Sequence, residues 1–273
     1  MTVFAVNDDL KSLMKEHDID EVVLADPALS PEQTLTMMLD CEKEMVGCRT
    51  VPSLFQMRLA EMEADPIEGV PLYGLKETPL HGLNAVIKRT FDAVVAFVGL
   101  LIVLPFLPII ALAIKLDSKG PVLYKQKRVG LDGHRYSLYK FRSMRKEAED
   151  NSGPVWAKEN DPRRTRIGAF LRSWNLDELP QLYNVLRGDM SLVGPRPERP
   201  FFVKQFKERE PRYMARHKVK SGLTGWAQVH GLRGDSSIAE RLKYDLYYIE
   251  NWSFWLDLKT LFMTVRAWRR GAY

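Results

Sequence analysis

The chain has 273 residues, 45% of them hydrophobic and 27% charged, which is enough apolar material for a sizeable core and excludes a disordered chain. Its net charge of +5 conceals a division: residues 1–80 hold 6 basic and 16 acidic side chains, whereas residues 81–273 hold 34 and 19. Cys41 and Cys48 have neither zinc-ligand nor disulfide-framework spacing and no cleavable apolar leader precedes them, so they read as packing residues in a reducing compartment.

The acidic part alternates between helical and extended patterns. An apolar start at Val3–Val6 precedes a helical pattern near Asp9–His17, a strand at Glu21–Ala25, a helix from about Pro31 and a strand near Arg49–Val51. That order predicts an α/β domain over 1–80. It has no Gly-rich strand-to-helix turn for a dinucleotide, and is expected to be part of a Rossmann-like domain with a regulatory or structural role. The Pro- and Gly-rich stretch Gly69–Gly82 reads as a linker to the basic part.

Ala93–Ile114 carries no charge and is long enough to cross a bilayer as a helix. Pro105 and Pro108 stand in its middle, where each removes an N–H and crowds the preceding turn, so a break is expected there. Basic residues flank both ends, Lys88 and Arg89 before it and Lys115, Lys119 and Lys125 after it. Two basic flanks place both ends on the cytoplasmic side and favour a re-entrant hairpin over 84–117 above a spanning helix or a buried soluble one.

The remaining stretch, 118–273, opens with a basic run to Lys146 interleaved with Tyr124, Tyr136, Tyr139 and Phe141. Such a run suits single-stranded nucleic acid as well as phosphates, but the adjacent apolar segment makes a lipid phosphate or headgroup the more economical anion; a solvated basic face is the plain alternative. No nucleic acid is expected. Phe201–His217 is amphipathic, and two helices are predicted at the end, carrying Ile238, Leu242, Leu246 and Ile249, then Leu258, Leu261, Phe262 and Val265, with a break at Asn251–Ser253. Trp252, Phe254, Trp255 and Trp268 suit either a headgroup boundary or the core.

Adjacent carboxylates Asp177 and Glu178 lie in basic surroundings. A pair of this kind stays ionised only beside cations, so one could attack phosphorus while the other holds a metal; by spacing alone it reads first as a solvated helix N-terminus. Gly194-Pro-Arg-Pro197 is a rigid turn that would hold the Arg196 guanidinium in a fixed orientation for phosphate. His217 and His230 lack partners at metal spacing, and Asp189 reads as closing a turn.

Five segments in order, Lys140-Phe-Arg-Ser-Met144, Arg166-Ile-Gly-Ala-Phe-Leu-Arg172, Leu176-Asp-Glu-Leu-Pro-Gln181, Gly188-Asp-Met-Ser-Leu-Val-Gly-Pro-Arg-Pro197 and Gly222-Leu-Thr-Gly-Trp-Ala-Gln-Val229, resemble the bacterial sugar transferase family of monotopic polyprenol-phosphate phosphoglycosyl transferases. The resemblance implies a mostly helical catalytic domain at the cytoplasmic face of a bacterial inner membrane. It implies transfer of a hexose 1-phosphate from a UDP-sugar, best matched to UDP-glucose, onto undecaprenyl phosphate with release of UMP, as the first membrane step of exopolysaccharide, capsule or O-antigen synthesis. Asp177 is then the nucleophile, Glu178 with Asp177 serves Mg2+, and Arg172, Arg196, Lys140 and Arg142 bind phosphate. Ser221 and Leu104 stand where the family often has Pro and Ser, departures that concern geometry and not reacting groups. The family's large members carry four N-terminal transmembrane helices; none is among these residues, as expected of either a truncated or a naturally short version. The resemblance leaves a homo-oligomer open, and the alternative from another class is an inert membrane scaffold in a polysaccharide assembly complex.

Overall fold

The computed structural model describes residues 10–17, 19–26, 28–51, 65–67, 70–74, 78–145, 161–234 and 236–266; Val3–Val6 and Trp268 lie outside them. The chain forms two compact units, Met1–Glu77 with Arg209–Ala215, and Thr78–Glu208 with Arg216–Tyr273.

In the first unit, helix α1 (Leu10–Glu16) leads to strand β1 (Glu21–Leu24), helix α2 (Pro31–Lys43) and strand β2 (Gly47–Thr50). Ser30 and Gln33 form a reciprocal cap at the start of α2, where Pro31 has no N–H to lose. Strands β1 and β2 pair in parallel across that helix. Strands β3 (Asp65–Ile67) and β4 (Val70–Gly74) then add an antiparallel pair in the order β1-β2-β4-β3. The stretch Gly69–Gly82 is therefore not linker throughout, since β4 lies within it. Its proline fits because Pro71 faces Pro66 across the pair, a position that exchanges no ladder hydrogen bonds. Cys41 is buried on α2 and Cys48 half-buried on β2, with no metal-ligand cluster among the described residues.

The second unit begins with α3 (Gly82–Val103), a 3-10 turn at Leu104–Phe106 and α4 (Leu107–Asp117). The helix changes hydrogen-bonding pattern at Pro105, and Pro108 occupies the first turn of α4, where a missing N–H costs nothing. Of the residues in its most apolar 18-residue stretch, only 6% are buried. Val86, Val94, Phe97, Ile102, Ile109 and Leu112 all face outward, an apolar surface suited to lipid and poorly suited to water.

Both arms nevertheless join the same body. Ala96 of α3 packs in a core with Leu182, Val185, Leu192 and Tyr248, and Ile114 of α4 packs on Phe141 and Leu171. Near the start of α3, buried Lys88 lies 3.1 Å from Asp92 and 2.6 Å from Asp257, and Tyr248 donates its hydroxyl to Asp257 at 2.7 Å.

The body itself comprises the hairpin β5 (Leu123–Val129) and β6 (Arg135–Phe141), helices α5 (Arg166–Ser173) and α6 (Gln181–Arg187), strand β7 (Ser191–Val193) and helix α7 (Pro200–Arg209). It continues through β8 (Gly222–Thr224), the short α8 (Trp226–Val229), α9 (Ile238–Glu250) and α10 (Phe254–Arg266). Within Phe201–His217, α7 ends before Pro211, and Tyr213–His217 is a 3-10 turn. The C-terminal aromatics differ in burial: Trp252 is buried in the core, whereas Trp255 and Phe262 are exposed on α10.

Candidate active site

The segments that carry the resemblance converge because two of them meet backbone to backbone. Parallel strands β7 and β8 pair Ser191 with Gly222 and Val193 with Thr224, and the ladder continues as Gly194 N donates to Thr224 O and Gly222 N to Pro195 O, both at 2.9 Å. A Cβ on Gly222 would collide with Gly194 N, and one on Gly194 with Lys220 O, so only glycine permits this approach. The contact fixes where the Pro-Arg-Pro turn emerges. Its backbone is then gripped by two arginines, buried Arg216 donating to Arg196 O at 3.0 Å and half-buried Arg128 to Pro197 O at 2.9 Å.

A second constraint places the carboxylates. Helix α5 ends at Ser173, and Asn175 adopts a left-handed φ of 52°, a conformation Asn tolerates better than most residues. The reversal starts a 3-10 turn, Leu176–Glu178, and turns Asp177 back toward Arg172, whose Nε lies 3.8 Å from Asp177 Oδ2. The dyad is thus neither solvated nor the cap of an α-helix.

The two carboxylates differ in their surroundings. Glu178 Oε1 accepts from Lys140 Nζ at 2.7 Å and from Arg196 Nη2 at 3.1 Å. Burial pushes its carboxyl up, but the Lys140 ammonium and Arg196 guanidinium outweigh that and hold it well below the usual carboxylate range. Asp177 is 4% exposed and accepts no hydrogen bond among the described residues. Burial raises its carboxyl, the neighbouring Glu178 charge adds to the rise, and Lys140, Arg172 and Arg196 only partly oppose it. One carboxylate is anchored; the other is ionisable, underbonded and close to cations, the state expected of an oxygen nucleophile.

Both line a cavity of about 460 Å³. Lys140, Arg172, Arg196 and Arg233 make its charged end, and Val95, Leu182, Leu223, Leu261 and Val265 make an apolar wall that includes α3. Arg172 Nε donates to Ser143 Oγ at 3.0 Å, and its buried Nη1 has no hydrogen-bond partner among the described residues.

Of the residues singled out in the sequence, Asp177, Glu178, Lys140, Arg172 and Arg196 come together here. Arg142 does not. Its guanidinium closes the C-terminal end of α4, donating to Ile114 O, Ser118 O and Lys119 O at 3.3, 2.7 and 3.0 Å. Strand alternation would put Lys140 and Arg142 on one face, but β6 ends at Phe141, and the terminal carbonyls of α4 attract the cation. Replacing Arg142 by Met should cost about 2 kcal/mol of stability and leave the KM for substrate within twofold; a raised KM at unchanged Tm would return Arg142 to the cavity.

The basic run is divided: Arg128, Lys140 and Arg142 serve internal contacts, whereas Lys115, Lys119, Lys125, Lys127, Arg135 and Arg145 are exposed. Asp189 lies at the turn after α6, 3.3 Å from the Asn184 side chain, and His217 is buried. Gln228 and Arg233 line the cavity without having been singled out, because an amide and an arginine far along the chain carry no local signal of convergence.

Residues 83–271 match the model of the family described as bacterial sugar transferase. A UDP-glucose:undecaprenyl-phosphate glucose-1-phosphate transferase of Escherichia coli (strain K12) is 46% identical over 79% of this chain and 47% of its own length. A UDP-N-acetylgalactosamine-undecaprenyl-phosphate N-acetylgalactosaminephosphotransferase of Aeromonas hydrophila is 42% identical over 76% and 48%. The exopolysaccharide production protein PSS of Rhizobium leguminosarum bv. phaseoli is 46% identical over 67% of this chain and 95% of its own length. The chain thus spans about half the length of the first two relatives. With five motif segments folded into one body and the family model covering most of the chain, the protein belongs to the bacterial sugar transferase family.

Proposed function

We propose that this chain transfers a sugar phosphate from a UDP-sugar, with UDP-glucose the first candidate, to undecaprenyl phosphate and releases UMP. The observation that carries the reading is Asp177, a buried carboxylate that accepts no hydrogen bond among the described residues, set between basic side chains and an apolar wall that includes helix α3.

An Asp177 oxygen attacks the β-phosphorus of the donor, forming a carboxylate–phosphorus bond while the bond from that phosphorus to the oxygen bridging the two phosphates breaks. UMP leaves with the electron pair. A phosphate oxygen of the lipid acceptor then attacks the same phosphorus, and the Asp177 oxygen departs. Using one carboxylate twice lets the hydrophilic donor and the lipid acceptor occupy the site in succession. Arg172 and Arg196 grip the phosphates through planar guanidinium forks, which an ammonium does not reproduce.

The residues present fit Mg2+. Two adjacent carboxylates face the cavity, Glu178 Oε2 has no hydrogen bond among the described residues, and a diphosphate substrate brings the further oxygens this ion favours. Glu178, with Asp177 beside it, would hold the ion, which when bound neutralises the diphosphate and the charge growing on UMP. Packing of both α3 and α4 on one body supports a re-entrant segment with its ends on the cytoplasmic face, and the parallel β1–α2–β2 unit supports a Rossmann-like relationship for the N-terminal part.

The detergent-solubilised protein, given Mg2+, a panel of UDP-sugars and undecaprenyl phosphate, should release UMP with at least one donor. Release of UDP would mean ordinary glycosyl transfer and overturn the mechanism; neither product from any donor would favour the inert scaffold.

A further inference from the structure

We propose that Gln228 is a specificity-determining residue that hydrogen-bonds a hydroxyl or imide N–H in the non-phosphate part of the donor, a role that rests on the UDP-sugar reading. Gln228 lies on α8, directly after the Gly-Leu-Thr-Gly turn, and lines the same cavity as Asp177, Glu178, Arg196 and Arg233. It is 5% exposed, yet its side-chain amide makes no hydrogen bond among the described residues, and Oε1 is shut away from solvent with no donor. Buried amides are almost always paired, so one left unpaired on a substrate cavity marks a partner that arrives with the ligand.

The surrounding chain holds the amide in place by packing. A Cβ on Gly225 would stand 3.2 Å from Oε1, and Arg233 Nε fixes the local backbone by donating to Gln228 O at 3.2 Å. The cavity's phosphate-binding work is already assigned to cations, and an ionised phosphate brings only acceptors, which cannot satisfy an orphaned carbonyl oxygen. A sugar hydroxyl both donates and accepts, and the uracil imide presents N–H beside C=O. Either satisfies the amide in whichever orientation it sits. Gln228 therefore reads the hexose or the base and leaves the diphosphate to the cations.

The test compares wild type with Gln228→Met, a change of similar shape without the polar end, in UMP release from UDP-glucose and from UDP-deoxyglucoses each lacking one hydroxyl, with UMP as product inhibitor. If wild type releases no UMP from any donor, the UDP-sugar reading has failed and this proposal falls with it. Where wild type is active, reading of the hexose predicts that one deoxy donor loses on the order of 10²-fold in kcat/KM, that Gln228→Met reduces this discrimination to a few-fold, and that UMP inhibition is unmoved. Reading of the base predicts that the variant weakens UMP inhibition about tenfold with the hexose discrimination kept. Equal losses for every donor and for UMP, or changes below twofold throughout, overturn the proposal. Should Gln228→Met fail to fold, Gln228→Asn, which keeps the amide but withdraws it by one methylene, is judged by the same criteria.

Discussion

Asp177→Asn should abolish UMP release, with a loss on the order of 10⁴-fold or more, and at the same time raise the melting temperature. The first effect follows from chemistry: an amide cannot form the carboxylate–phosphorus bond, and the neighbouring Glu178 is held by Lys140 and Arg196 and cannot take its place. The second follows from burial. Asp177 is raised above the usual carboxylate range, so the folded state binds its proton more tightly than the unfolded state does. Stability is then lost as pH rises through that raised value. Asn escapes the loss. The stabilisation should therefore be present at neutral and higher pH and vanish near pH 4, about where an unperturbed Asp is half protonated. Thermal melts of both proteins across pH, beside the UMP assay, check the two effects together. A variant that is inactive but less stable at every pH would make Asp177 a structural residue.

Lys88→Met should produce the largest loss of stability among changes outside the cavity. Lys88 is the cation between two buried carboxylates, Asp92 and Asp257, and ties α3 to α10. Removing one partner of a buried ion pair typically costs about 3–5 kcal/mol, here on the order of a 10 °C drop in Tm. The direction with pH follows from Asp257, whose carboxyl burial already raises against the pull of Lys88. A raised carboxyl destabilises the fold as pH rises through its value, and without Lys88 that cost is no longer offset. The gap between wild type and variant should widen from pH 5 to pH 8. A gap that narrows over this range would show that the ammonium, and not the carboxylates, carried the burden. UMP release per folded molecule should change far less than Tm, because neither Lys88 nor Asp257 lines the cavity.

Lys88 and Asp177 also mark how far the sequence could be read. The apolar run, its proline break, the start of α2 near Pro31 and the division of the C-terminal pattern into two helices were legible, because each depends on residues within a few turns of one another. Asp177, Glu178, Lys140, Arg172 and Arg196 were legible as candidates through the motif resemblance, whereas spacing alone read the dyad as a solvated helix end. Composition and local periodicity thus determined that this chain is a mixed helix–sheet protein with one lipid-suited segment, and the order of its motifs determined the family. Only the tertiary structure decided that Asp177 is buried and underbonded while Glu178 is clamped, that Arg142 caps α4, that Lys88 joins Asp92 to the distant Asp257, and that Gln228 faces the cavity without a side-chain partner among the described residues. The physical reason is range. Helix propensity, capping and hydrophobic periodicity act over a few residues, but desolvation and ion pairing depend on which distant side chains exclude water from a group: Lys140 and Glu178, 38 positions apart, and Lys88 and Asp257, 169 apart, meet only in the folded chain.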